Sequence, residues 1–284
     1  MTVPEPLSPS YAEAAVLTAY APDAESGLFL RLARFPGRGE AWVWVDVFSG
    51  EHHYSLSETV PLSGFTGATD TSRPRAEFAL TRPPVQFVRE AHAGTPLRCR
   101  LDAEVACNPG PNPTGGPGDV PTRIVAEFVA IHEPGAPREG RLEVFGDVQA
   151  TVELPGHTFK VDGRGKWHEQ LGERPAFARP FTYLHLQNEQ VSLLATSMPG
   201  IAWGFVVRDG ERTPVTGARI ASRGVNREFT VTLADGSAIS GIAIRRRTSE
   251  VPVEGQMWNG SIVVASSTEG TLVGAMNDWQ QPEG

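Results

Sequence analysis

Apolar and polar residues alternate with a period of two along most of this chain, the signature of strands that bury one face and wet the other. Arg141–Leu154 shows the pattern most cleanly. Leu142, Val144, Gly146, Val148, Ala150, Val152 and Leu154 fall on one side, with Glu143, Phe145, Asp147, Gln149, Thr151 and Glu153 on the other. Arg98–Cys107 repeats it, with Cys99, Leu101, Ala103, Val105 and Cys107 opposite Arg98, Arg100, Asp102 and Glu104. Leu28–Phe35 and Ala41–Phe48 form an expected hairpin across P-G-R-G-E, whose Pro and Gly are turn chemistry. His53–Val60, Ala76–Leu80, Val85–Arg89 and Thr122–His132 are further candidates. The second half adds Phe181–Gln187, Val191–Ser197, Ile201–Arg208, Val215–Ser222, Glu228–Leu233, Ala238–Arg245, Met257–Ala265 and Thr271–Trp279. Tyr11–Tyr20 is Ala-rich and fits either a helix or a first strand, the strand being preferred.

About seventeen strand candidates joined by hairpin-length turns predict an antiparallel all-β protein. Splitting them near 133–140 leaves two groups of about eight, so the expectation is two consecutive β-barrels, residues 1–138 and 139–284. Asn108–Asp119, N-P-G-P-N-P-T-G-G-P-G-D, is too rich in Pro and Gly for a ladder and reads as a long loop. A barrel of that size can hold one small apolar ligand, and the seam between two barrels offers another pocket.

With 284 residues, 40% hydrophobic and 20% charged, the composition suits one large or two medium globular domains. A formal net charge of -8 supplies no positive field for phosphate, which argues against a nucleic-acid binder. Arg245-Arg246-Arg247 accordingly reads as a solvated strand end. No run reaches the roughly 18 apolar residues of a transmembrane helix, and M-T-V-P-E-P-L-S-P-S does not resemble a signal peptide. Cys99 and Cys107 share one strand; at ~3.3 Å per residue their Cα atoms lie about 26 Å apart, beyond disulfide reach. A cytoplasmic protein with free thiols is expected.

Candidate chemistry concentrates in Val161–Tyr183, V-D-G-R-G-K-W-H-E-Q-L-G-E-R-P-A-F-A-R-P-F-T-Y. Asp162-Gly163 and Gly165 predict a tight turn. If the chain is extended beyond it, Trp167 and Glu169 point one way and Lys166, His168 and Gln170 the other. Glu169 is the candidate catalytic acid, because desolvation raises a buried carboxyl and an indole face steadies positive charge. His168 is the second candidate for proton transfer. Tyr183 and His185, on one face with Phe181, are expected to line the same cavity with Trp167 and Gln170. Trp42, Trp44 and Asp46 share a strand face, and Trp203 and Asp278 complete the candidate substrate-binding set. The competing structural reading pairs Glu169 with Arg174 to pin a loop. His52, His53, His132, His157, His168 and His185 show no H-E-x-x-H spacing, so no metal site is predicted. Phosphate-loop, dinucleotide and nucleophile-elbow motifs are missing, and no cofactor is expected.

G-R-G-K-W-H-E-Q-L-G-E-R, then P-F-T-Y and a closing G-x-x-x-G-x-x-N-D-W, resemble the hydroxyneurosporene synthase (carotenoid 1,2-hydratase) and AttH-like group of tandem lipocalin-type proteins. Cyclases and Diels–Alderases of natural-product pathways are related to that group. The resemblance implies two lipocalin-like (calycin) barrels and a cofactor-independent hydratase or cyclase acting on a hydrophobic terpenoid, polyene or polyketide. A pericyclic variant needs only shape and hydrogen bonds, for which Gln170, Tyr183 and the tryptophans suffice. The alternative is a non-catalytic carrier of an apolar metabolite. Many relatives carry Arg-Asp-His-Ser-Trp after the turn, where this chain has Trp167-His168-Glu169-Gln170-Leu171; relatives often place Glu before the last Trp, where Asn277-Asp278 stand here. No single relative's activity therefore transfers.

Overall fold

Each alternating segment becomes a strand. The computed structural model describes residues 7–62, 73–111, 118–135, 140–173 and 181–280, and these contain eighteen strands and no helix. The first ten are β1 (Tyr11–Tyr20), β2 (Ser26–Phe35), β3 (Glu40–Ser49), β4 (His52–Pro61), β5 (Arg75–Thr81), β6 (Pro84–Glu90), β7 (Arg98–Pro109), β8 (Val120–Ala130), β9 (Arg141–Leu154) and β10 (His157–Glu173). They form one antiparallel sheet in the order β4-β3-β2-β1-β10-β9-β8-β7-β6-β5. The sheet curls back on itself, Tyr54 and Ser55 of β4 meeting Pro109 and Asn108 of β7. The remaining strands, β11 (Phe181–Gln187), β12 (Val191–Met198), β13 (Ile201–Arg208), β14 (Glu211–Arg223), β15 (Asn226–Leu233), β16 (Ala238–Val253), β17 (Gln256–Ser267) and β18 (Gly270–Gln280), form a closed eight-stranded barrel. The all-β, double-barrel architecture expected from the alternation is therefore the one found.

The division of the chain differs from the expected break after residue 138. Strands β9 and β10 belong to the first sheet, where β10 pairs with β1 through contacts such as Val16 with His168. The change of sheet falls between Glu173 and Phe181. Grouping strands by eights misplaces it because the β5–β6 hairpin extends the sheet past β7 instead of helping to close it. That hairpin packs over one end of the first interior: Arg34 donates to the Ala79 carbonyl (3.4 Å), and Phe87 stands edge-on to Trp167 at 5.5 Å.

A second difference concerns the turn predicted at Asp162–Gly165, which does not form: β10 runs unbroken through it. The glycines serve close backbone approach instead. A Cβ at Gly163 would lie 2.3 Å from the Tyr20 carbonyl oxygen, and one at Gly165 2.5 Å from that of Thr18. Small residues at such points let a long strand bend within a barrel wall. The turn chemistry falls instead at Gly156, whose φ of 74° closes the β9–β10 hairpin.

The first interior is filled by residues such as Leu17, Leu30, Phe78, Phe87, Phe128 and Trp167, with Cys99 and Cys107 buried among them as free thiols. The second is filled by Leu184, Leu193, Phe229, Leu272 and Met276. Between the two units lies a seam. On one side stand the outward faces of β1–β3 and β9–β10, and on the other β11 and β16–β18, joined by Trp42, Trp44, Val251, Trp258 and Trp279 and by Tyr20, Phe48, Ile262 and Ala275. Strand β1 is buried on both faces for this reason, which is why its sequence reads as Ala-rich and hardly alternates. Arg245–Arg247 is likewise not a solvated strand end. A bulge there separates Arg245, which binds Asp278, from Arg247, which reaches the Gly50 carbonyl across the seam.

Candidate active site

Sheet register sets out the site before any side chain is considered. Arg31 (β2), Val16 (β1), His168 (β10) and Glu143 (β9) are successive partners across four neighbouring strands. Phe29, Thr18, Lys166 and Phe145 form the next row, and Gln170 pairs with Arg141 beyond. All point outward, into the seam. Facing them on the second unit, Tyr183 lies between Thr196 and Asn277, and Phe181 beside Trp279, which pairs with Trp258.

The polar groups meet in a buried cluster. Lys166 Nζ donates to Glu143 Oε2 (2.7 Å) and to the Tyr183 hydroxyl (2.5 Å), and that hydroxyl donates to the same carboxylate oxygen (2.8 Å). His168 Nδ1 lies 2.8 Å from Glu143 Oε1. The angle is outside hydrogen-bond geometry, so neither atom has a bonded partner. A cavity of about 100 Å³ opens beside the cluster, lined by Arg31, Arg141, Lys166, His168 and Gln170, by Tyr183 and His185, and by the rings of Phe29, Phe181, Trp258 and Trp279. Arg31 stacks on Trp44 (4.7 Å) and Arg141 on Trp203 (5.5 Å).

Burial alone would raise the Glu143 carboxyl, but His168 and Lys166 beside it hold it well below the usual carboxylate range. Of the two we assign the effect to Lys166, because burial pulls His168 down to about 4, against the pull of Glu143, and leaves the imidazole uncharged near neutrality. Burial lowers Lys166, opposed by its pairing with Glu143, and drives His185 well below its ordinary value. Burial, reinforced by Glu143, pushes the Tyr183 hydroxyl well up, and burial together with nearby Arg141 brings Arg31 down to about 10. Near neutral pH the cavity therefore presents a neutral imidazole able to accept a proton, a protonated phenol, and cationic N–H donors. Lys166 keeps one of its three donors free of the cluster.

The model of a family described as Domain of unknown function (DUF7064) matches residues 3–279. The chain belongs to this family. Comparison with curated proteins yields no match. Among solved structures, CghA with Sch210972 is similar over 97% of this chain and 89% of its own (TM-score 0.59, 9% identity). A putative AttH (NE1406) from Nitrosomonas europaea is similar over 98% of each chain (TM-score 0.59, 12% identity). Kievitone hydratase from Nectria haematococca is similar over 95% of this chain and 89% of its own (TM-score 0.50, 8% identity). At these identities the likeness is one of fold.

Within this family member the residues singled out in the sequence separate into three places. His168, Gln170, Tyr183 and His185 come together at the seam cavity. Trp203 stands 6.0 Å from Tyr183. Trp42 and Trp44 stack at 5.9 Å in the seam packing, and Asp46 lines a neighbouring space of about 30 Å³, bonded to His53 (2.6 Å) and Ser249. Glu169 and Trp167 point the other way, into the first interior, so Glu169 does not share a cavity with Tyr183. Its Oε1 accepts from Arg89 Nε (2.8 Å) and Trp167 Nε1 (2.8 Å). Burial raises this carboxyl, opposed chiefly by Arg89. Asp278 points into the second barrel, where Thr182 (2.6 Å), Arg227 (2.7 Å) and Arg245 bind it. Arg174 lies outside the described residues.

Sequence reasoning passed over Glu143, Arg31, Arg141, Trp258 and Trp279. One signal was available: Phe145 sits among the acids on the supposedly wet face of β9, and an aromatic there marks a face covered by something else. A larger open cleft of about 910 Å³ lies farther along the seam, lined by residues such as Arg98, Glu127, Asp162, Arg164 and Asn188. It lacks the proton-moving cluster. Gln187 stands at its edge, donating to the Tyr20 hydroxyl (2.7 Å) and the Gly165 carbonyl (3.0 Å).

Proposed function

We propose that this protein is a cofactor-independent enzyme of the hydratase or cyclase kind, acting on a largely apolar small molecule in the seam cavity. The observation that carries the reading is the buried Lys166–Glu143–Tyr183 cluster with neutral His168 beside an aromatic-walled cavity. His168 takes a proton from carbon or from water, while Lys166, through the N–H left free by the cluster, donates a hydrogen bond to the oxygen on which charge develops, and Tyr183 holds Lys166 and Glu143 in place. Trp258, Trp279 and Phe181 hold the apolar body. Glu143, kept ionised, orients the two donors and is not itself the acid. Glu169 is here a structural group, its carboxylate engaged by Arg89 and Trp167. The fold's likeness to kievitone hydratase and to CghA with Sch210972 supports a hydratase or cyclase reading, as does the resemblance to the hydroxyneurosporene synthase group.

A carrier fits less well. Single-barrel carriers hold their ligand inside the barrel, whereas both interiors here are filled with side chains. The test begins with native mass spectrometry of gently purified protein to obtain its bound molecule. That molecule is then incubated with fresh protein in heavy water. A proton-transfer enzyme places deuterium on carbon and converts or exchanges the molecule, and His168→Asn stops this while retaining binding. Recovery of the molecule unchanged, with no deuterium gained, would establish a carrier.

A further inference from the structure

Two arginines in the seam lack the counter-ion that a half-buried cation calls for. Among the described residues, neither Arg31 nor Arg141 forms an ion pair or hydrogen bond, and Arg31 Nε is buried without a partner. Both line the cavity of about 100 Å³, together with Lys166, and among the described residues no carboxylate lines it. Glu143, in the adjoining cluster, already binds Lys166 and Tyr183. Desolvating a guanidinium without compensation is costly. The indoles of Trp44 and Trp203 offset part of that cost through their faces, and they also fix the two planes in position.

From this geometry we infer that the seam cavity takes the anionic, two-oxygen head of its ligand, a carboxylate or the enolate of a β-diketone, with Arg31 and Arg141 as the residues that select for charge. This deepens the functional reading above and rests on it for the location of the ligand. Guanidinium matches a planar, delocalised pair of oxygens bidentately. The cavity's size suits such a head and not a whole ligand, since pockets that enclose drug-sized molecules run to about 300–1,000 Å³. The apolar body then extends along Phe29 and Trp258, which the cavity shares with the adjoining space beside Asp46.

The experiment uses three probes with the full chain, followed by tryptophan fluorescence and calorimetry: naphthoate, its neutral isostere naphthamide, and the enolate of dimedone. The expected result is that naphthoate binds at least about tenfold more tightly than naphthamide. Arg31→Gln combined with Arg141→Gln should abolish that preference by weakening naphthoate binding much more than naphthamide binding, and the two Lys replacements should restore part of it. Dimedone binding equal to that of naphthoate assigns a general oxyanion site, and much weaker binding narrows it to carboxylates; both uphold the inference. Equal binding of naphthoate and naphthamide, a preference that survives the double Gln variant, or failure of all probes to bind overturns it. Trp258→Ala separates this from the underlying reading. If that change weakens naphthamide binding while no charge preference exists, the seam site stands and only the anionic head is lost. If it alters no probe's affinity, the seam is not the binding site.

Discussion

On the inward face of β10, Glu169 meets Arg89, and nearby in the same interior Glu13 meets Arg34 at 2.5 Å, two acids for two arginines. On its outward face, one carboxylate, Glu143, faces Lys166, and Arg31 and Arg141 stand close by with no ion-pair partner among the described residues. Both groups of charges are buried or half-buried, yet only the inward one is balanced. Burial and ion pairing are therefore poor guides to function taken alone. What separates a cluster that holds the fold from one poised for a ligand is whether its charges and donors are already satisfied among themselves.

The largest expected effect bears on the outward face. His168→Asn should lower turnover by about 100- to 10,000-fold, the range for a positioned proton-transfer group, with little change in urea midpoint. Comparable losses of rate and stability would erase the distinction between the two faces. Next comes Trp167→Ala on the inward face, where loss of a wholly buried indole should cost about 3–5 kcal/mol in equilibrium unfolding. Glu169→Gln should cost up to about 3 kcal/mol by weakening the pairing of buried Arg89, while turnover per folded molecule and naphthamide affinity stay within about twofold of the parent. A collapse of turnover at full stability in this variant would move the chemistry into the first interior.

The last effect, negligible at neutral pH, is a pH dependence. His168 titrates near 4 in the folded chain because burial disfavours its cation, below the ordinary histidine value near 6.5. The unfolded chain therefore binds this proton first, so stability rises with pH between about 4 and 6.5 and falls on acidification, by about 1.4 kcal/mol per pH unit for each such histidine. His185 and His132, also lowered chiefly by burial, act in the same direction. Glu143, depressed by Lys166 beside it, adds a further loss below the ordinary carboxylate range. Chemical denaturation at several pH values should show His168→Asn flattening part of the slope; an identical slope in the variant would mean the imidazole is already protonated in the folded chain.

Much of the fold could be read from the sequence, because a two-residue period assigns each side chain to one of two faces. The inward and outward sets of β7, β9 and β10 follow from that rule, including the opposition of Trp167 and Glu169 to His168 and Gln170. What the period cannot tell is which outward faces meet water and which meet another sheet. Glu169 drew attention as an acid beside an indole, and that very contact, Trp167 Nε1 to its carboxylate, commits it to the interior. The position of the sheet change escaped for a related reason: alternation marks strands but not their partners, and the pairing of β1 with β10 depends on residues far apart in the chain.

That pairing has a consequence for biosynthesis. Because Val16 finds its partner in His168, a nascent chain carries one edge of its first strand unsatisfied until more than half the polypeptide has left the ribosome. Ordering so distant a contact is slow, and exposed strand edges recruit other chains meanwhile. A product ending at residue 138 should accumulate as aggregate and one ending at residue 173 should be recovered in larger soluble yield, a contrast measurable by fractionating expression lysates. Translation itself thus decides when the first unit can close.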